Sequence, residues 1–190
     1  VVGNIAALVD HKGQRYLIDA APAIVRARPD THILIFGEGE LRPALQRQIR
    51  SLGLDHHVKL VGFRPDILSL LGGLDIFVMS SLTEGLGTSI LDAMAASRAV
   101  VATTAGGIPE VVVHGETGLL VPPGQAAPLA DAIIALVGDP ARRAALGQAG
   151  LARVREHFTV DRMVDQTLDV YARVVDRRRA GGTANPPAPA

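Results

Sequence analysis

The chain has 190 residues, 48% of them hydrophobic and 20% charged, which is enough apolar sequence to bury one sizeable core. Lysine plus arginine and aspartate plus glutamate each number 19, so the formal net charge is zero and the basic excess typical of nucleic-acid binders is missing. The lack of cysteine excludes disulfides and thiolate metal sites, and no apolar run reaches the roughly 20 residues that span a bilayer.

Short apolar runs that favour strands alternate along the chain with stretches of helical apolar spacing. We predict strands at residues 2–8, 32–36, 58–61, 74–79, 99–103 and 118–121. We predict helices at residues 13–28, 40–52, 65–71, 88–96, 109–113, 127–136, 141–156 and 160–177. Because near-continuous apolar strands that alternate with helices form parallel sheets covered on both faces, the pattern predicts an α/β, doubly wound, Rossmann-like fold with strand order 3-2-1-4-5-6.

One domain is predicted over residues 1–178, and its last helix occupies residues 160–178. Residues 179–190 are rich in glycine, alanine and proline, so this tail is expected to be disordered. The chain starts with Val1 directly in a strand-like run, which indicates a piece of a longer protein. Since no signal peptide is visible, we expect a cytoplasmic location.

The most informative segment, residues 80–95, joins the predicted fourth strand to a helix and reads SSLTEGLGTSILDAMA. In an open α/β sheet, ligands bind at the carboxyl ends of the strands. Free backbone N–H groups at a helix N-terminus receive an anion there, most naturally a phosphate. Gly85 and Gly87 let the backbone approach a ligand closely, and Thr88 or Ser89 could cap the helix or bond a phosphate oxygen.

Two acids in this segment, Glu84 and Asp92, could border one cleft. Carboxylates suit sugar hydroxyls because each can accept several hydrogen bonds. The alternative is structural, since an acid near a helix start is favoured by the helix dipole alone.

Two other predicted turns carry candidate binding groups. Lys12, in the turn after the first strand, could meet a diphosphate as a point charge or could be a solvated turn residue. Phe63 and Arg64, after the third strand, could flank a flat base, or could belong to a turn in which Pro65 starts a helix. No segment has metal-ligand spacing, so no metal site is expected.

Together these segments resemble the donor-binding, C-terminal half of a GT-B glycosyltransferase of the group 1 type, also called family 4. The residues that carry the resemblance are His11-Lys12-Gly13, Gly37-Glu38-Gly39, Val58 to Phe63, Ser80-Ser81, Glu84 to Ala95, Gly106 to Val112 and Gly115 to Pro122. The resemblance implies transfer of a sugar from a nucleoside-diphosphate sugar to an acceptor, with retention at the anomeric carbon and without a metal or other cofactor.

The resemblance also implies roles for individual residues. Lys12 would neutralise the diphosphate, and the amides of Gly85, Leu86, Gly87 and Thr88 would cradle it. Glu84, as the catalytic residue, would hold hydroxyls of the donor sugar. Asp92 would hold the ribose, and backbone at Gly62, Phe63 and Arg64 would recognise the base.

Three departures from the family pattern matter. Asp92 stands where the family usually has glutamate, and Ala7 stands where it often has an arginine. The N-terminal domain that binds the acceptor, whether a sugar, a lipid or another small molecule, is absent. The chain alone is therefore expected to be inactive in transfer, and any peripheral contact with the inner membrane face would come through the missing half.

Other functions remain open at this point. A GT-B-like sugar-nucleotide epimerase or a phosphorylase would share the fold, but a phosphorylase needs a lysine for pyridoxal phosphate and the chain has none besides Lys12 and Lys59. A nicotinamide oxidoreductase would need a Gly-x-Gly-x-x-Gly turn after the first strand. A non-catalytic nucleotide-binding module would bind nucleoside diphosphates without being part of a transferase.

Overall fold

The computed structural model describes residues 1–181, with side chains described through residue 176. It divides into two compact units, one covering Val1–Val154 and the other starting at Arg155. The first unit holds the sheet and all the predicted site residues. None of the helices in the described part of the chain is both long and apolar enough to cross a membrane.

The described strands form a single parallel sheet in the order β3-β2-β1-β4-β5-β6, which confirms the predicted fold class and strand order. The strands are β1 (Val2–Ile5), β2 (Ile33–Phe36), β3 (Val58–Gly62), β4 (Ile76–Met79), β5 (Ala99–Thr103) and β6 (Leu119–Val121). The helices are α1 (Gln14–Ala27), α2 (Arg42–Ser51), α3 (Ile67–Leu70), α4 (Thr88–Ala95), α5 (Ile108–Val111), α6 (Ala126–Val137), α7 (Pro140–His157) and α8 (Val160–Gly181).

The core covers both faces of the sheet. Every residue of β4 and β5 is buried, as a strand inside a parallel sheet requires. One face packs against α1, α2 and α6 through residues such as Ile18, Ile49 and Ile133. Because side chains alternate along a strand, the neighbouring positions point to the opposite face, where Ile90 and Met94 of α4 are also fully buried.

The two central strands, β1 and β4, separate near their carboxyl ends. The ladder between β1 and β4 has only two residue pairs, Val2 with Ile76 and Gly3 with Phe77. Beyond it the fully buried Asn4 donates a side-chain hydrogen bond to the Val78 carbonyl at 2.9 Å. Since crossovers leave β1 and β4 in opposite directions along the sheet, this is the switch point at which open α/β sheets bind ligands.

The last helix belongs to the second unit and extends further than predicted. Helix α8 ends at Gly181, three residues into the segment predicted as a tail from residue 179. The rest of that predicted tail lies outside the described residues.

Candidate functional site

The turn that carries Lys12 is held against the end of β4 by backbone contacts. Gly13 has φ +64°, and a Cβ at this position would lie 2.2 Å from the Ser80 carbonyl oxygen. Two hydrogen bonds join the segments, from Ser80 Oγ to the Lys12 carbonyl at 3.1 Å and from the Leu82 amide to the His11 carbonyl at 2.7 Å. Only glycine fits such a close approach in the left-handed region, so the sequence fixes Lys12 beside the loop after β4.

The loop after β4 is supported on its other side by the glycine pair that follows β5. Gly106 has φ +52°, and a Cβ there would lie 1.8 Å from the Glu84 carbonyl oxygen. The Gly107 amide is shared between the Glu84 and Gly85 carbonyls, at 3.2 Å and 3.0 Å. This supporting role of the two glycines was not predicted from the sequence. The signal that could have shown it is the pair of adjacent glycines that begins three residues after the end of the buried strand β5.

These contacts bring Lys12 and Glu84 into an ion pair. Lys12 Nζ lies 2.6 Å from Glu84 Oε2, and the two side chains are only 20% and 12% exposed. Ser81 Oγ donates to the same carboxylate oxygen at 3.1 Å. Ser81 is itself fully buried, and its carbonyl accepts a 2.7 Å hydrogen bond from Thr103 Oγ1. The acid that follows β4 is therefore held in a defined position beside the cation.

A row of free backbone donors follows Glu84. Within residues 1–181, no hydrogen-bond acceptor is bonded to the amide N–H groups from Gly85 through Ser89. Gly87, at φ +77°, is the N-cap of α4, and no side chain caps the helix. Of the two alternatives for Thr88 and Ser89, helix capping is wrong, because both residues lie inside the helix and Ser89 Oγ donates to the Ile5 carbonyl at 3.3 Å. Bonding to a phosphate oxygen stays a prediction. Free donors at a helix N-terminus beside a lysine form an anion-binding arrangement.

Asp92 projects from the second turn of α4, where it is exposed and takes part in no side-chain hydrogen bond or ion pair within the described residues. Although the residue as a whole is exposed, neighbouring protein atoms partly desolvate its carboxyl group, which raises the pKa of Asp92 above the ordinary value. The helix dipole acts mainly within the first turn, so dipole stabilisation does not account for an acid at this position. The carboxylate is thus a free acceptor near the candidate site.

A separate pocket of about 400 Å³ lies at the same edge of the sheet, at the ends of β1, β2 and β3. Its lining includes Ala7, Phe36, Phe63 and Arg64. Phe63 is 71% exposed, and the Arg64 guanidinium is held by two hydrogen bonds to the Asp66 carboxylate, at 2.7 Å and 2.6 Å. An aromatic ring and a planar cation therefore stand at the rim of a mostly apolar pocket.

Gly62 closes β3 at φ +96°, and its carbonyl accepts from the Gly37 amide at 2.9 Å. The β3 turn lies three strand spacings from β4, roughly 14 Å along the sheet edge. The structure therefore brings together Lys12, Glu84 and the 85–88 amides. It places Phe63 and Arg64 at a pocket elsewhere on the same edge, with Gly62 at the adjoining end of β3.

Comparisons with known proteins agree with this architecture. Residues 1–139 match the family model for "Glycosyl transferases group 1". A curated relative, the GDP-mannose-dependent monoacylated alpha-(1-6)-phosphatidylinositol monomannoside mannosyltransferase of Corynebacterium glutamicum, is 36% identical over 179 residues, which are 90% of this chain and 46% of that protein. The chain spans about half the length of the curated relatives it matches.

Comparisons with solved structures indicate the same family. The crystal structure of Anabaena Alr3699/HepE in complex with UDP is 32% identical with a TM-score of 0.84, over 90% of this chain and 48% of that one. The C-terminal domain of a group 1 family protein (LpcC) from Francisella tularensis is 32% identical with a TM-score of 0.77, over 84% of this chain and 86% of that one. The chain belongs to the group 1 glycosyl transferases, and its sheet is one Rossmann-like half of a GT-B fold.

Proposed function

We propose that this chain is the nucleotide-sugar-binding half of a retaining glycosyltransferase that needs no metal. The observation that carries the proposal is the Lys12–Glu84 pair beside the amides of Gly85 through Ser89, which have no acceptor among the described residues. This arrangement offers positive charge and hydrogen-bond donors to a diphosphate, with an acid next to them for sugar hydroxyls. Family membership removes the nicotinamide oxidoreductase alternative.

The proposed roles follow from the charges at the site. In sugar transfer the leaving group is a nucleoside diphosphate, so stabilising its developing negative charge should be the largest catalytic contribution. Lys12 and the amides of Gly85, Leu86, Gly87 and Thr88 would supply that stabilisation. Since Ala7 provides no cation, Lys12 would carry most of the side-chain charge that faces the phosphates.

The other groups would bind the neutral parts of the donor. Glu84 would accept hydrogen bonds from the transferred sugar. Asp92, as a free carboxylate acceptor, would take the ribose hydroxyls. The pocket rimmed by Phe63 and Arg64 would hold the base, and the backbone at Gly62, next to Phe63, would help to recognise it. The relatives differ in nucleotide, since one is named for GDP-mannose and another was crystallised with UDP. The base is therefore identified by titrating a panel of nucleoside diphosphates.

We propose that the acceptor binds through a second domain, since this chain covers only 46% of the length of the mannosyltransferase relative. We therefore expect the isolated chain to bind UDP, GDP or ADP and to transfer no sugar. Calorimetric titration with all three diphosphates tests binding, and incubation with the matching sugar nucleotide and a simple sugar acceptor tests transfer.

The outcomes separate the alternatives. Absence of heat with all three diphosphates at millimolar ligand would contradict the donor site. Multiple-turnover transfer would contradict the need for a second half, and interconversion of the sugar nucleotide into an epimer would favour the epimerase alternative.

Asp92→Asn is expected to weaken nucleoside-diphosphate binding while leaving the melting temperature at neutral pH unchanged or slightly higher. Burial raises the folded-state pKa of Asp92 above its unfolded value, so the ionised carboxylate opposes folding. Asparagine removes that cost, and its advantage should grow as pH rises through the raised pKa and vanish below the unfolded pKa. Melting curves from acid to neutral pH, measured alongside calorimetry, check both effects. A lower melting temperature with unchanged affinity would assign Asp92 to the fold and not to the ligand.

A further inference from the structure

We propose that Glu84 discriminates between donor and product, favouring a nucleoside-diphosphate sugar over the free nucleoside diphosphate because it competes with the diphosphate for Lys12. This inference rests on the proposed function of the same site. It assigns Glu84 a second task besides holding the sugar.

The competition is visible in the contacts. Within the described residues, Glu84 is the one group bonded to Lys12 Nζ, at 2.6 Å. Glu84 Oε2 accepts from both Lys12 and Ser81, whereas Oε1 accepts no hydrogen bond from the described residues. A diphosphate that approaches Lys12 therefore meets a cation already neutralised by a carboxylate.

The backbone keeps the acid from moving aside. The Glu84 carbonyl accepts from the Gly107 amide at 3.2 Å, and Gly106 packs directly against it. Ser81, which is fully buried, tethers the carboxylate itself. When a phosphate forms an ion pair with Lys12, the tethered Glu84 carboxylate stays close to that phosphate. Because the pair is largely shielded from solvent, salt screens the resulting repulsion only weakly.

A transferable sugar changes this balance. Its hydroxyl groups can donate to Glu84, so the carboxylate keeps hydrogen-bond partners after Lys12 turns to the phosphates. A free nucleoside diphosphate offers only acceptor oxygens on its phosphate end, and leaves the carboxylate facing like charge. Glu84 should therefore tighten binding of the intact donor relative to the product. It should also help the product to leave, as Lys12 returns to the acid.

The test compares a diphosphate with its sugar nucleotide on the 190-residue chain, using whichever of UDP and UDP-glucose, GDP and GDP-mannose, or ADP and ADP-glucose the unmodified chain binds. Glu84→Gln should tighten the free diphosphate by roughly three- to ten-fold and weaken the sugar nucleotide. In a Lys12→Met background, the same substitution should tighten the diphosphate by a clearly smaller factor, because the competition for Lys12 is gone and only the repulsion between the acid and the phosphates is relieved. Glu116→Gln, which removes an exposed acid elsewhere, should change neither affinity.

Melting curves check that each variant folds, and Glu84→Ala, with the same expected tightening, replaces Glu84→Gln if the latter does not fold. If Lys12→Met weakens diphosphate binding but removal of the Glu84 charge leaves it equal or weaker, the discrimination by Glu84 is overturned while the proposed function stands. Equal tightening by the Glu84 substitution with and without Lys12 would also overturn the proposal, because the effect would then come from the removal of a negative charge and not from competition for Lys12. If no diphosphate binds the unmodified chain, the proposed function fails as well.

Discussion

Lys12→Ala is expected to weaken nucleoside-diphosphate binding by about ten-fold or more and to leave nucleoside binding unchanged. A hydrogen bond between charged partners is typically worth about 1.5–3 kcal/mol, which corresponds to at least roughly ten-fold in affinity. The effect should be large here because Ala7 offers no second cation and because removal of Lys12 leaves Glu84 as an unpaired acid near the phosphates.

Calorimetry with the diphosphate and the nucleoside on each protein checks this expectation. The control is Lys59→Ala, which removes the other lysine of the chain from β3, where it bonds the Asp55 carbonyl. Equal diphosphate affinities for the Lys12 variant and the unmodified chain would remove Lys12 from the site.

Gly106→Ala should destabilise the domain by roughly 2–5 kcal/mol and abolish nucleotide binding in any fraction that still folds. An alanine at φ +52° costs about 1–2 kcal/mol for the left-handed backbone alone. Its Cβ would also lie 1.8 Å from the Glu84 carbonyl oxygen, and relieving such an overlap typically costs about 1–3 kcal/mol more. The relaxation would displace Glu84 and the amides that follow it.

Gly53→Ala is the matched control. Gly53 also has a positive φ, +66°, but a Cβ there would meet nothing within 4 Å. Urea unfolding should therefore show only the backbone cost of about 1–2 kcal/mol for this variant, with nucleotide binding intact. Equal losses of stability in the two variants would show that the contact between the Gly106 and Glu84 segments does not hold the loop in place.

The fold was predictable because apolar runs and turn residues mark each element. The end of β1 was not, since residues 6–8 remain apolar and were predicted as strand, whereas β1 ends at Ile5. The strand ends where its pairing with β2 ends, at Ile5 opposite Phe36, two residues beyond its last pair with β4. Local pattern carries no information on such a long-range event.

The candidate site was predictable in its position but not in its internal contacts. Lys12 and the loop from Glu84 could be assigned to one edge, because the carboxyl ends of parallel strands share it. The direct pairing of Lys12 with Glu84 joins residues 72 positions apart and follows from close backbone approaches at Gly13 and Gly106. The tether from Ser81 likewise depends on a side-chain direction that spacing in the sequence does not give.

The most direct test of the central claim, that the Lys12 and Glu84 loops form a nucleotide diphosphate site, is a residue-resolved NMR titration of backbone amides with the diphosphate that binds. The largest shifts are expected at Gly85 through Ser89, whose N–H groups have no acceptor within residues 1–181, and at the Lys12 turn. Smaller shifts are expected at the pocket near Phe63. Shifts centred on the pocket at the opposite edge of the sheet, around Asp75 and Arg143, with Gly85 through Ser89 unaffected, would contradict the account.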